Sequence, residues 1–218
     1  MVDLSKIELK HFNSHDIEDV ALCDFLRFFQ NRIGSVLDVG AHDSVRHYCR
    51  EAKRIVNGKY EGIDILPDPN TALLVDKYHV GNLMDLNHHT GFDAVFSISA
   101  IEHCGITTYK SKDWRQERMD VFDRMLANAH LFVFLTFPFG EEGLVLNQYA
   151  NVTDEDLREF NSIAKGDGFS ALAFDFYFCS HPQMKLPWEP ISRDKAARVP
   201  LNPEIEVQNV ACCSWMKM

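Results

Sequence analysis

Apolar residues recur at helical spacing between Asn13 and Arg32, where Ile17, Val20, Ala21, Phe25, Phe28 and Phe29 form one stripe. Asn13 and Ser14 are cap-competent and Gly34 stops the run, so an amphipathic N-terminal helix is predicted. Ser35-Val36-Leu37-Asp38-Val39 is then a short apolar strand closed by Gly40, and Ser44 opens a second helical stretch that ends at Asn57-Gly58. The alternation continues with a strand over Lys59–Ile65, a turn at Pro67-Asp68-Pro69, a short helix over Asn70–Lys77 and a brief strand at Tyr78-His79-Val80. A strand over Phe92–Ile98 precedes a helix over Arg115–Ala129, which carries Met119, Phe122, Met125 and Leu126 on one face. His130–Leu135 is apolar without alternation, as expected of a strand buried on both faces. Thr153, with Asp156 three residues on, starts a helix ending near Lys165-Gly166, and Phe169–Phe178 is a long aromatic strand. Helices and strands alternating in this way predict an α/β fold with a doubly wound, mostly parallel sheet.

The pattern changes after residue 179. Pro182, Pro187, Pro190, Pro200 and Pro203, with Trp188 among them, predict an ordered loop or lid, and Glu204–Trp215 a closing strand. The chain of 218 residues is expected to form one domain. Its parts are an N-terminal helical segment (1–33), a core (34–178), a lid (179–204) and the closing strand (205–218). Composition narrows the partners: 22 Lys and Arg against 32 Asp and Glu give a net charge of −10, with no basic run to track a phosphate backbone, so nucleic acid is disfavoured. The six cysteines form no C-x-x-C pair and read as reduced, mostly buried thiols. The N-terminal residues do not have the pattern of a secretion signal, and no apolar run approaches the roughly 18 residues of a membrane span. A cytoplasmic location without membrane contact is the expectation, and a homodimer is left open.

In an open parallel sheet, ligands bind beyond the carboxyl ends of the strands where the strand order reverses, which directs attention to the end of the first strand. It reads Val36-Leu37-Asp38-Val39-Gly40-Ala41-His42, with His42 where a dinucleotide-binding loop has its second glycine and Val45 where it has its last. A dinucleotide is thereby disfavoured, and Asp38 speaks for a ligand whose nearest group is cationic.

The run V-L-D-V-G-A resembles the first motif of the class I S-adenosylmethionine-dependent methyltransferases. Tyr60-Glu61-Gly62-Ile63-Asp64 and Gly81-Asn82-Leu83-Met84-Asp85-Leu86 stand at the family's second and third positions. Phe92–Gly105 resembles its fourth motif in the form F-D-x-V-x-S-x-S-x-x-E-H, and Leu135–Gly140 a T-x-P-F-G segment of a bacterial branch acting on sugars and secondary metabolites. The resemblance spans roughly residues 33 to 178. It implies a Rossmann-like methyltransferase fold with a seven-stranded sheet, helices on both faces and a proline-rich lid. It also implies S-adenosylmethionine as cofactor and S-adenosylhomocysteine as product. The cofactor contacts it implies are Asp38, Gly40, Ala41 and His42 at the aminoacyl end, Asp64 with Ile65 at the ribose, Asp85 with Leu86 at the adenine, and Ser99 at the exit of strand four. Two departures from the family stand out: His42 replaces a glycine, and Asn128-Ala129-His130 replaces a glycine pair before strand five.

The reaction expected is methyl transfer to a hydroxyl of a small acceptor such as a sugar or a glycoconjugate precursor, with N-methylation of a small amine as the alternative. His103 is the general-base candidate, since an imidazole with an ordinary pKa of about 6.5 can take a proton near neutrality. Glu102, Tyr149, Tyr177, His181 and Trp188 are candidates for an acceptor pocket. His88-His89 lack a third ligand at metal spacing, so no metal is expected. A nicotinamide-dependent oxidoreductase and a non-catalytic binding subunit, its cofactor blocked by His42, are the rival readings.

Overall fold

The computed structural model describes residues 16–42, 48–86, 91–106, 113–145, 149–179, 188–200 and 209–218, without the side chains of Asp16, Val145 and Tyr149. In chain order the elements are α1 (Asp16–Phe28), β1 (Ser35–Val39), α2 (Tyr48–Ile55), β2 (Lys59–Asp64), α3 (Pro69–Ala72), β3 (Lys77–Val80) and β4 (Phe92–Ile98). They continue with α4 (Trp114–Asn128), β5 (Ala129–Pro138), β6 (Leu144–Val145), β7 (Tyr149–Ala150), α5 (Asp154–Gly166), β8 (Phe169–Cys179), β9 (Trp188–Ile191), α6 (Arg193–Ala196) and β10 (Asn209–Lys217). Single 3₁₀ turns lie at Leu83–Asp85 and Ile101–His103.

Eight strands form one sheet in the order β3-β2-β1-β4-β5-β10-β8-β9, with β6 and β7 a separate two-stranded hairpin. The pairs from β3 through β5 are parallel, whereas β10 runs antiparallel to both β5 and β8. Strand order therefore reverses between β1 and β4, and open sheets of this kind bind ligands at the carboxyl ends beside such a reversal.

Alternation along the central strands builds a core on each face. Val36 of β1 and Phe132 and Phe134 of β5 pack with Ile17, Leu22, Phe25 and Leu26 of α1 and with Cys49 and Ala52 of α2. Leu37, Val133, Leu135 and Phe137 point the other way, toward Phe122, Met125 and Leu126 of α4 and Leu157 and Phe160 of α5. This accounts for the unbroken apolar run of β5. α5 begins with a capping box: Thr153 Oγ1 accepts from Asp156 N at 3.2 Å and Asp156 Oδ2 from Thr153 N at 2.9 Å. The same Asp156 oxygen takes the fully buried Arg118 at 3.1 Å, and Arg118 also donates to the carbonyls of Ala150 and Asn151. This buried pair ties α4, α5 and β7 together.

The sheet has eight strands rather than the expected seven because part of the proline-rich segment is the edge strand β9, paired antiparallel with β8 and followed by the short α6. Proline is tolerated on an edge strand, whose outward groups need no ladder partner. Pro190 accordingly stands opposite Tyr177. Residues 180–187 and 201–208 lie outside the described residues. No helix among the described residues is long and apolar enough to cross a membrane. Burial pushes the Cys23 and Cys104 thiols up to about 12.

α1 and α2 are also clamped by charge, since Glu51 accepts from Arg54 at 2.8 and 2.9 Å and from Arg27 of α1 at 2.7 Å. The Arg54 hydrogen bonds first, then Arg27, outweigh desolvation and lower the Glu51 carboxyl from its ordinary range to about 2. A group lowered on folding contributes its stability above its unfolded pKa and loses it as the pH falls through the folded value. Solvent reaches a third of this side chain and keeps the effect small. In a melting-temperature series between pH 5 and 2, Glu51→Gln is expected to flatten the acid decline relative to the parent chain; parallel curves would show that the clamp carries no pH dependence.

Candidate active site

β1 ends in a turn at Gly40, whose φ of +78° lies in the left-handed region. A Cβ at Gly40 would stand 2.3 Å from the Cβ of Ala100, just beyond β4, so the exits of β1 and β4 meet only because residue 40 has no side chain. Gly40 N and Ala41 N both donate to Ile63 O, at 2.8 and 3.2 Å, fastening the turn to the end of β2. Asp38 lies beneath it, fully buried. Its Oδ1 accepts from Tyr48 Oη at 3.1 Å and its Oδ2 from Tyr60 Oη at 2.8 Å, with the Cys49 thiol at 3.6 Å. Burial, reinforced by Asp38, raises the Tyr60 phenol well above its ordinary pKa and keeps it a donor.

At the end of β2, Asp64 is half-buried and accepts Leu66 N on Oδ1 at 2.7 Å, while no side chain among the described residues donates to it. Burial, only partly offset by that backbone bond, raises its pKa. Gly81 N donates to Asp64 O at 2.9 Å, so the exit of β3 adjoins the exit of β2. Ile65, Leu66, Val80 and Met84 are exposed apolar side chains around these two exits. Asp85 is exposed on the 3₁₀ turn, which Asn82 caps and Arg124 of α4 ties down through the carbonyls of Leu83, Met84 and Leu86.

His42 is turned toward the start of α3, with Nδ1 3.5 Å from Asp68 Oδ2. Asp68 caps α3 through Asn70 N at 2.9 Å and Thr71 Oγ1 at 2.8 Å. Its burial would raise the carboxyl, but these hydrogen bonds together hold it below the usual aspartate range. Tyr78 of β3 brings its hydroxyl within 3.1 Å of Ala41 O and 2.9 Å of Leu66 O, between the turns after β1 and β2.

Ser99 leaves β4 with φ +42°, the one non-glycine residue at positive φ among the described residues. Its N–H donates to Thr136 O at 3.0 Å and to Thr136 Oγ1 at 3.1 Å, and its hydroxyl to Glu18 of α1. Glu102 is buried and His103 two-fifths exposed on the next 3₁₀ turn, 4.0 Å apart at their closest charged atoms.

The sequence-derived residues thus divide. Asp38, Gly40, Ala41, His42, Asp64, Ile65, Asp85, Leu86 and Ser99 line the linked exits of β1 to β4, followed at the β4 exit by Glu102 and His103. Tyr177 and Trp188 instead pack in the apolar cluster beneath α1, though the Trp188 indole N–H has no acceptor among the described residues. The Tyr149 side chain and His181 lie outside the described residues. Glu18, Tyr48 and Tyr78 lie outside the sequence motifs, and Tyr60 and Thr136 lie inside them without having been singled out. Among the described residues no group of three or more His, Cys, Asp or Glu is placed to hold a metal.

The phenol of Tyr60 and the carboxylate of Asp38 give a direct stability test. Tyr60→Phe removes one donor from a buried carboxylate and is expected to cost about 1–3 kcal/mol in urea denaturation; a loss under about 0.5 kcal/mol would show that the bond is not needed.

No protein-family model and no curated protein sequence matches the chain. Solved structures do. The magnesium protoporphyrin IX methyltransferase of Synechocystis PCC 6803 with bound S-adenosylmethionine is 11% identical, with 94% of this chain and 80% of that one covered at a TM-score of 0.59. A candidate RNA methyltransferase of Pyrococcus horikoshii is 12% identical, covering 99% and 92% at 0.56. The amino pentose methyltransferase of Micromonospora echinaspora involved in calicheamicin biosynthesis is 12% identical, covering 95% and 92% at 0.53. Likeness at such low identity is a likeness of fold, and by strand order and chain trace this protein has the class I S-adenosylmethionine-dependent methyltransferase fold.

Proposed function

We propose that the chain is an S-adenosylmethionine-dependent methyltransferase acting on a hydroxyl of a small acceptor such as a sugar or a glycoconjugate precursor. The observation that carries this reading is Asp64: a half-buried carboxylate at the strand exit beside the switch point, which takes backbone N–H groups and no side-chain hydrogen bond among the described residues. Two vicinal hydroxyls of a ribose are the donors such a group is suited to take. Ile65, Leu66, Val80 and Met84 around it offer apolar surface for an adenine, with Asp85 to accept from its amino group. The Gly40–Ala41 turn holds the aminoacyl end. Asp38 acts there through the turn's position, because its oxygens are engaged by Tyr48, Tyr60 and Cys49. The His42 side chain is turned toward Asp68.

S-adenosylmethionine supplies a methyl group made electrophilic by its sulfonium. The protein's part in such an in-line displacement is to align the acceptor, exclude water and receive a proton. His103, at the exit of β4, takes the hydroxyl proton in this reading, and Glu102 braces it. The acidic net charge favours a small acceptor over nucleic acid. Cytoplasmic residence follows from the same reading.

Isothermal titration with S-adenosylhomocysteine tests the cofactor site. The parent chain is expected to bind, and Asp64→Ala to lose on the order of 2–3 kcal/mol through two hydrogen bonds to a charged acceptor. Absence of binding, or unchanged affinity in the variant, would refute the assignment. For the acceptor side, S-adenosylhomocysteine release is followed across a panel of hydroxylated small molecules. His103→Ala is expected to lose about 10²- to 10⁴-fold in kcat while keeping cofactor affinity. A loss of only about fivefold, roughly 1 kcal/mol in the barrier, would remove His103 as the base and favour an amine acceptor.

A further inference from the structure

Glu18 is a carboxylate only 1% exposed in the first turns of α1, a helix whose neighbouring residues Ile17, Ala21 and Leu22 are all core. Two hydroxyls converge on a single oxygen of it: Thr136 Oγ1 donates to Oε1 at 2.8 Å, and Ser99 Oγ donates to the same atom. Thr136 Oγ1 meanwhile accepts Ser99 N at 3.1 Å, so its own proton is directed to Glu18. The Glu18 and Thr136 side chains with the hydroxyl and backbone N–H of Ser99 form a closed cycle joining α1, the exit of β4 and β5.

The residue held by this cycle is the one whose backbone resists it. Ser99 sits at φ +42°, a region an L-residue enters only when its surroundings compel it. The next residue, Ala100, is the one that presses on the Gly40 turn. The path from α1 to the cofactor crevice is therefore short and made of contacts: Glu18 to Ser99, Ser99 to Ala100 along the chain, and Ala100 to Gly40. Nothing in it requires Glu18 to touch a ligand.

We propose that Glu18 is a positioning residue that holds Ser99 in its left-handed conformation, so that docking of α1 sets the shape of the crevice between β1 and β4 and hence its affinity for S-adenosylhomocysteine. The proposal rests on reading that crevice as the cofactor site. Coupling of this kind is reciprocal, so bound cofactor also strengthens the docking of α1.

The test is a cycle of variants titrated with S-adenosylhomocysteine, with melting temperatures measured on the same samples. Glu18→Gln keeps an acceptor oxygen and is expected to bind within about threefold of the parent chain, whereas Glu18→Ala is expected to weaken binding about tenfold or more. Ser99→Gly removes the conformational penalty that Glu18 offsets. In that background Glu18→Ala is expected to change affinity by less than about threefold, a departure from additivity that marks the two residues as one unit. Equal effects of Glu18→Ala in both backgrounds, or a lowered melting temperature with unchanged affinity, would overturn the proposal. Should Glu18→Ala not fold, Thr136→Val replaces it in the same cycle, with the same reading of additivity. A parent chain that binds no S-adenosylhomocysteine would overturn the cofactor reading itself, an outcome distinct from a Glu18 effect that fails to depend on Ser99.

Discussion

The exit of β1 must turn without a side chain. At Gly40 the backbone has a positive φ and lies so close to Ala100 that a Cβ would collide with it, and this contact brings the ends of β1 and β4 together at the reversal of strand order. The neighbouring features converge on that turn. Ile63 O receives its two N–H groups, Tyr78 reaches the Ala41 carbonyl, and Gly62 leaves room for Ala41, whose Cβ an added side chain at residue 62 would approach to 2.9 Å. Substitution at Gly40 would thus disturb both walls of the crevice.

The buried carboxylates show how the molecule separates structure from chemistry. A charge taken out of water needs donors, and most of the buried acids have them from side chains: Asp38 from Tyr48 and Tyr60, Glu18 from Ser99 and Thr136, Asp156 from Arg118, Glu61 from Lys59 and His79. Asp64 is different: it is half-buried at a strand exit and takes backbone N–H groups and no side-chain hydrogen bond among the described residues. That contrast, more than the motif around it, marks Asp64 for binding and Asp38 for holding the turn in place.

Much of this was legible in the sequence, for identifiable reasons. The alternation of helical and strand periods and the uniformly apolar run of β5 report burial on two faces, which is a property of local sequence. Gly40 was legible because a turn after a buried strand constrains residue type, whereas Asp64 was indicated only by the family resemblance. Glu18 was not: an acidic residue in an amphipathic helix usually faces water, and only the tertiary approach of Ser99 and Thr136, 81 and 118 residues away, makes it a core group. The strand β9 was hidden by prolines that an edge position tolerates, and the direction of the His42 side chain was not legible because its partner Asp68 is contributed by the next βα unit. Tyr177 and Trp188 follow the same rule, since aromatic residues near a strand end look alike whether they line a pocket or fill the core beneath a helix.

The linked exits of β1 to β4 are the proposed seat of S-adenosylhomocysteine, with its ribose on Asp64. A crystal structure of the chain grown with that compound tests it most directly. Electron density for the ligand is expected along these exits, with both ribose hydroxyls within hydrogen-bonding distance of the Asp64 carboxylate and the adenine against Ile65 and Met84. Ligand density elsewhere on the molecule, or a ribose facing away from Asp64, would contradict it.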